Sequence, residues 1–346
     1  MHAPRPKYQV LYNARDITED ITPFLVGLAY TDHVKGKSDS MEIQVEDTDL
    51  IWQNEWYPAK GDQLDVSIGY DLQLVPCGLF EIDEIEVSGP PDQVSIRALA
   101  AGITSALRTR RSYAYEGQTL RNLAETIAAR HGFTIQGDIS EIRINRTTQH
   151  KETDLRFLSR MAAQYGHVFS VRGQVLTFTE IYGLEGLPSV QVVSRQDLIS
   201  YSFRDKTSET YQTARVKYHD PETQEVVEGA FDESDEDTAG DGLEIWVKAE
   251  SNRQANAIAR SELHNANTRK LEGVITLEGN PYLVAGNNIE IEGMGVMSGL
   301  FHIQSSSHSI TPNGGYATTC EVKRVGAISS DRWKGAGRAQ RFDFVT

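Results

Sequence analysis

Apolar and polar residues alternate with a period of two along the first hundred residues of the chain. The clearest runs occupy residues 8–11, 42–45, 64–68 and 94–97. Because successive side chains of a strand point to opposite faces of a sheet, each run has one buried face and one face in water. The pattern predicts antiparallel strands that form a barrel or a sandwich, and we assign residues 1–106 to this first β domain.

The period changes to that of an α-helix near residue 116. An apolar stripe over residues 120–128 ends at Gly132, and a second stripe over residues 155–165 ends at Gly166. Glycine after the last periodic residue is a common helix stop. Short apolar runs follow both predicted helices, as strands would. We therefore predict a small α/β insert domain over residues 107–190.

Strand patterns return after residue 190, and one helix interrupts them. Alternating runs occupy residues 198–201, 214–218 and 243–247, and the helical stripe covers residues 251–266. We assign residues 191–324 to a second β domain that includes this helix. The polar tail over residues 325–346 is expected to be extended, or ordered only against a partner.

Two segments of the first β domain recur in the second. The sequence KGDQLDVSIG at residues 60–69 returns as AGNNIEIEG at residues 285–293, and GLFEI at 78–82 returns as GLFHI at 299–303. Two matches in the same order indicate an internal duplication. The two β domains should then superpose with the following residues equivalent: Gly61 with Gly286, and Phe80 with Phe301.

The charge of the chain narrows the classes of partner. The 346 residues contain 34 Lys+Arg and 49 Asp+Glu, which gives a formal net charge of −15. Binding to nucleic-acid phosphates needs a positive face, so a general nucleic-acid binder is disfavoured. Acidic residues accumulate between Asp220 and Glu244, where no Lys or Arg occurs. Such a block is typical of a solvated loop.

The cysteines and the apolar stretches of the sequence bear on the compartment in which the protein is made. The two cysteines, Cys77 and Cys320, form no CxxC pair, so the sequence predicts neither a zinc site nor a disulfide scaffold. A reducing site of synthesis is expected. No apolar stretch approaches the roughly 18 residues of a membrane span, and we expect neither an export signal nor a membrane-embedded segment.

Several segments of the insert and of the closing strands resemble those of a known family. They are LRTRRS (107–112), QTL (118–120), IAARHG (127–132), ETDLRFL (152–158), YG (165–166), residues 286–303, His308 and GYAT (315–318). Together they resemble the late control protein D family of contractile phage tails. The closing segments are also similar to the hub portion of the type VI secretion spike protein VgrG.

The resemblance implies a baseplate hub. The implied fold is mainly β with an α+β insert, in which two related tail-tube-like antiparallel β-barrels flank the small α/β domain. The implied assembly is a homotrimer, since three chains with two similar barrels each present six similar surfaces to a sixfold ring. Such a hub would adapt the sixfold tail tube to the threefold spike.

The resemblance also implies partners and a location. The partners are a spike protein, the tail tube protein, other baseplate proteins and the tape measure protein. Because the chain stops soon after the second β domain, we expect the spike to be a separate polypeptide. Synthesis in the bacterial cytoplasm is expected, followed by assembly into the baseplate of a phage tail or of a tail-like particle such as an R-type bacteriocin.

The sequence shows no recognisable catalytic constellation. It has no GxSxG and no HExxH motif, and residues 293–299 (GMGVMSG) miss the dinucleotide-binding spacing and fit a hairpin loop. The histidines lack the close spacing of metal ligands, among them His131, His167, His302 and His308. We therefore expect a protein that is not an enzyme and that has no catalytic residues, cofactor or metal ion.

Two other functions compete with the hub. Residues 115–120 (YEGQTL) with the helix that follows also resemble a LysM peptidoglycan-binding motif, although the second half runs into a long loop and another helix. The second alternative is a cell-wall hydrolase at the tail tip.

Two groups of residues are candidates for an interface. The basic cluster comprises Arg108, Arg110 and Arg111, whose guanidinium groups suit bidentate bonds to carboxylates of a neighbouring domain or subunit. The aromatic group comprises Trp52, Trp56 and Tyr57. It fits an exposed interface anchor and a plug for the end of the barrel equally well.

Overall fold

The structure is a computed structural model. It describes residues 5–35, 38–71, 73–101, 109–206, 210–219, 224–232, 241–268, 270–312 and 314–325. Arg108, nearly all of the C-terminal tail and much of the acidic block over residues 220–244 lie outside the described residues. Among the described residues, no helix is long and apolar enough to cross a membrane.

The N-terminal part of the chain forms strands, one short α-helix and a 3-10 turn at Thr22–Phe24. The elements are β1 Pro6–Tyr12, β2 Arg15–Asp16, α1 Thr18–Ile21, β3 Leu25–His33, β4 Ser40–Glu46, β5 Gln63–Tyr70, β6 Gln73–Ser88 and β7 Gln93–Ala100. All four alternating runs of the sequence lie in these strands. Their buried residues alternate with partly exposed ones, most clearly in β4 and β7.

The middle of the chain mixes helices and strands, as predicted. The elements are β8 Arg110–Thr119, α2 Leu120–Arg130, β9 Thr134–Gln136, β10 Arg143–Thr153, α3 Asp154–Gln164, β11 His167–Arg172, β12 Val175–Glu180 and α4 Ile181–Glu185. The Thr119 and Thr153 hydroxyls accept the capping bonds of α2 and α3. Gly132 and Gly166, which follow these helices, both have positive φ.

The C-terminal part contains the remaining elements. They are β13 Ser189–Ser194, β14 Leu198–Asp205, β15 Thr213–His219, β16 Val226–Asp232, β17 Gly242–Trp246, α5 Asn252–Asn267, β18 Leu271–Glu278, β19 Asn288–Glu292, β20 Gly299–Thr311 and β21 Gly315–Arg324. The predicted hairpin loop over 293–299 joins β19 to β20.

Most strands belong to one hydrogen-bonded sheet, and the sheet contains the same strand order twice. One half runs β3-β4-β7-β6-β5-β1, and the other runs β14-β18-β21-β20-β19-β13. The halves differ at their last strand, because β1 is antiparallel to β5 whereas β13 is parallel to β19. The repeated order confirms the duplication. We call the two halves the first and the second sheet unit.

The duplication holds at the level of single hydrogen bonds. Gly61 and Gly286 have φ values of 91° and 94°. The Gly61 amide donates to the Ile82 carbonyl at 2.8 Å, and the Gly286 amide donates to the Ile303 carbonyl at 3.0 Å. A left-handed backbone of this kind favours glycine, which explains why the turn keeps it in both units.

The two phenylalanines are equivalent as well. Phe80 lies opposite Leu64 in the register of β6 with β5, and Phe301 lies opposite Ile289 in the register of β20 with β19. Both rings are fully buried, each in the core of its own unit. The predicted equivalence of these residues is confirmed.

The α/β insert has a core of its own, and α5 contributes to it. Ile258 and Leu263 of α5 belong to the same hydrophobic cluster as Leu123 of α2 and Phe157 of α3. The segment that carries α5 leaves the large sheet between β14 and β18, which pair directly, and its strands form a separate sheet of order β16-β15-β17. Ala214 and Val216 of β15 belong to the same cluster, so α5 packs on the strands of its own segment and on the insert. The domain boundaries drawn from the sequence stay a prediction.

Candidate assembly interface

The two sheet units meet where β20 pairs with β3 in antiparallel register. The junction aligns Ser305 with His33, Ser307 with Thr31 and Ile310 with Leu28. Only the second half of β20 takes part, because its first half pairs with β19. The chain therefore already contains one edge-to-edge contact between a first and a second sheet unit.

Side chains seal this junction on both faces. On the buried face, the His308 ring stacks on Tyr30 with 5.7 Å between the centroids. Burial lowers the pKa of His308 to about 4, so the ring is neutral near pH 7 and accepts or donates only neutral hydrogen bonds. On the same buried face, the Asp32 carboxylate accepts a bond from the Ala285 amide at 2.9 Å. On the other face, the hydroxyls of Thr31 and Ser307 are 3.3 Å apart.

Each sheet unit also presents an edge with no neighbouring strand in the described part of the chain. In the first unit one such edge is the second half of β6, residues 84–88, which pairs with β7 on one side only. In the second unit it is β14, which pairs only with β18. We call these the β6 edge and the β14 edge. Open edges of this length are templates for pairing with another chain.

Both edges expose apolar side chains at positions that are buried in the junction. Val87 of the β6 edge is 47% exposed and Tyr201 of the β14 edge is 42% exposed. The equivalent residues of the junction, His308 and Leu28, are buried. Neither edge is evident from the sequence, because a period-two pattern shows which face of a strand is buried but not which edge is covered.

The structure describes two of the three arginines of the basic cluster. Arg110 is exposed at the start of β8, and the Arg111 Nε lies 4.0 Å from an Asp154 carboxylate oxygen within the insert. Arg108 lies outside the described residues. A contact of these arginines with a neighbouring subunit stays a prediction.

Asp154 is the centre of a buried polar network that the sequence analysis did not identify. Its carboxylate accepts bonds from Arg130 at 3.1 Å and from Gln149 at 2.8 Å, and it contacts the His131 Nε2 at 2.7 Å. Burial acts to raise the pKa of Asp154, but the bonds from His131 and Gln149 and the charge of Arg130 outweigh it and hold the pKa below its usual value. The network ties the end of α2 to the start of α3.

A second buried network joins the insert to the second sheet unit. The Glu185 carboxylate at the end of α4 lies 3.3 Å from the Lys323 Nζ and 3.2 Å from the His264 Nε2. Burial acts to raise the pKa of Glu185, but the His264 bond and the Lys323 charge outweigh it and lower the pKa. The side-chain amide of Asn288 donates to the carbonyls of residues 184, 185 and 187. Its Oδ1 is hydrogen-bonded to the His302 Nδ1.

The aromatic group lies beside a cavity of about 350 Å³ at one end of the first unit. Trp52 is buried and meets Trp56 edge to face, with 5.5 Å between the ring centroids. Trp56 and Tyr57 are exposed. Trp52 is thus part of the core of the first unit, and both predicted roles of the group, interface anchor and barrel plug, stay predictions.

The described residues offer no metal site or reactive thiol. No three His, Cys, Asp or Glu side chains among them converge as ligands would. Burial raises the pKa of the Cys77 and Cys320 thiols to about 12, so both stay protonated near neutral pH.

Comparison with known proteins gives the context for these edges. The chain is 30% identical over 219 residues to the "Probable baseplate hub protein" of Escherichia phage P2, a match that covers 61% of this chain and 56% of that protein. It is 31% identical over 176 residues to the protein of the same description in Escherichia phage 186, with coverages of 50% and 44%. The chain thus matches about half the length of these relatives.

Solved structures share the fold along nearly the whole chain. A tail protein from Neisseria meningitidis MC58 superposes with a TM-score of 0.70 at 11% identity, covering 94% of this chain and 99% of the other. The 43 kDa tail protein of prophage MuSo2 from Shewanella oneidensis gives 0.68 at 13% identity, with coverages of 92% and 98%. The type VI secretion component c3393 of E. coli gives 0.57 at 13% identity, with coverages of 88% and 76%.

The resemblance seen in the sequence is confirmed at the level of the family. The family model described as phage tail baseplate hub (GPD) matches residues 86–314. That segment extends from β6 to the turn after β20 and includes the complete insert. The chain belongs to the phage tail baseplate hub (GPD) family.

Proposed function

We propose that this chain is the structural, non-enzymatic hub of a contractile tail baseplate, in a phage or in a tail-like particle such as an R-type bacteriocin. Three copies assemble into a ring that connects the sixfold tail tube to the threefold spike. In that ring each sheet unit curls into a tube-like barrel. Closed rings of identical chains also remove exposed strand edges, which an isolated copy retains.

One observation carries this proposal, namely the same strand order in both sheet units. Three chains with two equivalent units supply six similar surfaces around one axis, as a sixfold ring requires. The two units still differ in sequence and in their inserted segments, so the assembly keeps threefold symmetry elsewhere. A single chain can therefore match both symmetries.

The proposed partners follow from the two ends of such a ring. The tail tube protein contacts the end with six similar surfaces, and a separate spike protein contacts the threefold end. Other baseplate proteins and the tape measure protein meet the remaining surface. Solved complexes of the spike protein VgrG share the fold, which supports a position next to a spike.

The test is the copy number of the complex with the spike. The full chain is co-expressed with its cognate spike protein, and the purified complex is measured by native mass spectrometry and light scattering. Three copies of each protein are expected, because a hub interface can be incomplete without the spike. A stable complex with one copy of each would contradict the proposal.

A further inference from the structure

The strands equivalent to β3 and β20 each have an edge that pairs with no other strand in the described part of the chain. The strand equivalent to β20 is β6, and the strand equivalent to β3 is β14. We propose that the β6 edge of one copy pairs in antiparallel register with the β14 edge of the next copy, in the same way as β20 pairs with β3 within one chain. This inference rests on the proposed assembly of several copies.

The duplication fixes the register of this contact. Both β6 and β20 shift register at the same point, between Ile82 and Glu84 in the first unit and between Ile303 and Ser305 in the second. Glu84 therefore corresponds to Ser305, with an offset of 221 residues.

β3 and β14 are aligned by their own irregularity. β3 shifts between Leu25 and Gly27 and β14 between Leu198 and Ser200, so Leu25 corresponds to Leu198 with an offset of 173 residues. Applied to the observed junction, the two offsets give the cross-strand pairs of the new contact. They are Glu84 with Lys206, Ile85 with Asp205, Glu86 with Arg204, Val87 with Phe203, and Ser88 with Ser202.

The register places opposite charges across from each other on one face. Glu84 meets Lys206 and Glu86 meets Arg204. Directly opposed side chains of antiparallel strands are close enough for such pairs to stabilise the contact, whereas like charges there destabilise it. Glu84 and Lys206 take the places of Ser305 and His33 in the internal junction, and Glu86 and Arg204 take the places of Ser307 and Thr31.

Neighbouring charges within each edge keep the same complementarity. Glu84 lies 3.4 Å from Arg97, which also contacts Glu42, so the β6 edge remains acidic overall. On the matching face of β14, Arg204 and Lys206 share Glu272, at 3.6 and 3.3 Å, so this face of the β14 edge retains a positive charge. Asp205 points to the opposite face, across from Ile85. An acidic face that meets a basic one favours this partner over a second copy of the same edge.

The other face is apolar at its centre. Val87 would lie against Phe203, at the place where His308 stacks on Tyr30 in the internal junction. Phe203 already packs against Phe301 in the core of the second unit. The contact would cover Val87 and thereby bury a side chain that an isolated copy leaves in water.

Disulfide trapping tests the register. The variant Ser88→Cys with Ser202→Cys carries thiols on directly opposed, exposed positions, which come within about 5.5 Å across antiparallel strands and so near disulfide reach. The control is Ser88→Cys with Tyr201→Cys. Its second cysteine lies one position along β14, so its thiol points to the other face of the sheet. Cys320 is buried, Cys77 is half-buried, and both native thiols are protonated near neutral pH, so they interfere little. On mild oxidation with the spike present, the first variant should form covalent multimers up to three chains, and the control should not.

Charge exchange tests the energetics independently. Glu86→Arg and Arg204→Glu each place like charges opposite each other, and each should lower the affinity between copies by about tenfold or more. The double variant Glu86→Arg with Arg204→Glu restores opposite charges and should recover most of the assembly. Native mass spectrometry at several concentrations measures the fraction of assembled chains.

The outcomes separate this inference from the proposed hub. Crosslinking of the 88–202 variant, together with recovery in the double charge variant, supports the proposed register. A trimer by mass in which only the control crosslinks, or in which charge exchange has no effect, overturns the register but leaves the hub intact. A complex without several copies overturns both proposals.

Discussion

Asp154→Asn should loosen the insert domain more than any exposed charge substitution in it. The change keeps the shape of the side chain and removes its negative charge, which is fully buried. The Arg130 guanidinium then loses its carboxylate partner while its side chain is only 24% exposed. Removing one partner of a buried ion pair costs about 3–5 kcal/mol, because the other charge remains without compensation.

The expected cost of Asp154→Asn lies somewhat below that range. Water reaches part of the Arg130 side chain and replaces some of the lost interaction, and the amide oxygen of the substituted side chain can still accept a bond from one neighbour. We therefore expect a loss of about 2–3 kcal/mol. At about 1.4 kcal/mol per factor of ten, the equilibrium for local opening rises about 30- to 150-fold.

Hydrogen exchange with mass spectrometry measures this opening directly in the full chain. Amides of α2 and α3 should exchange faster in Asp154→Asn, whereas those of the two sheet units should not change. Glu116→Gln is the matched control, because Glu116 pairs with Arg146 on the exposed surface of the same domain. That pair contributes little, so exchange should change at most a few-fold. Equal effects of the two variants would refute the role of the network.

Three further predictions concern stability and activity. The stability that Asp154 and Glu185 supply is present above about pH 5 and is lost as the pH falls through their lowered pKa values. The free energy of unfolding of Asp154→Asn, followed by circular dichroism, should therefore fall less steeply with decreasing pH than that of the unsubstituted chain. Phe80→Ala and Phe301→Ala should each cost about 3–5 kcal/mol in urea unfolding, since each ring is fully buried; a much smaller loss in one would contradict their equivalence. Incubation with purified peptidoglycan should release no soluble muropeptides, and release that one His or carboxylate substitution abolishes would show an overlooked active site. In the same assay, sedimentation with intact peptidoglycan would reveal a LysM-like function.

Local structure was readable from the sequence because its causes are local. The alternation in 94–97 reflects one buried face of β7, and the stripe in 120–128 reflects the buried face of α2. The turn glycines Gly61 and Gly286 were visible because their backbone conformation excludes most other residues. Repeated motifs then predicted that two units of equal strand order exist.

Long-range contacts were not readable in the same way. The pairing of β20 with β3 joins residues far apart in the chain, and the sequence of neither strand shows which other strand it pairs with. The packing of α5 on the insert depends on where its segment leaves the sheet. Asp154 directly precedes the apolar stripe over residues 155–165, and only the fold shows that Arg130 and Gln149 converge on it.

The central claim is that three copies of this chain place six equivalent sheet units around one axis. An electron cryo-microscopy map of the chain bound to its spike, at a resolution that separates strands, tests this most directly. The account predicts three copies whose first and second units alternate at equal distance from the axis, with continuous sheet density between β6 of one copy and β14 of the next. A different copy number, or two units at unequal distances from the axis, would contradict it.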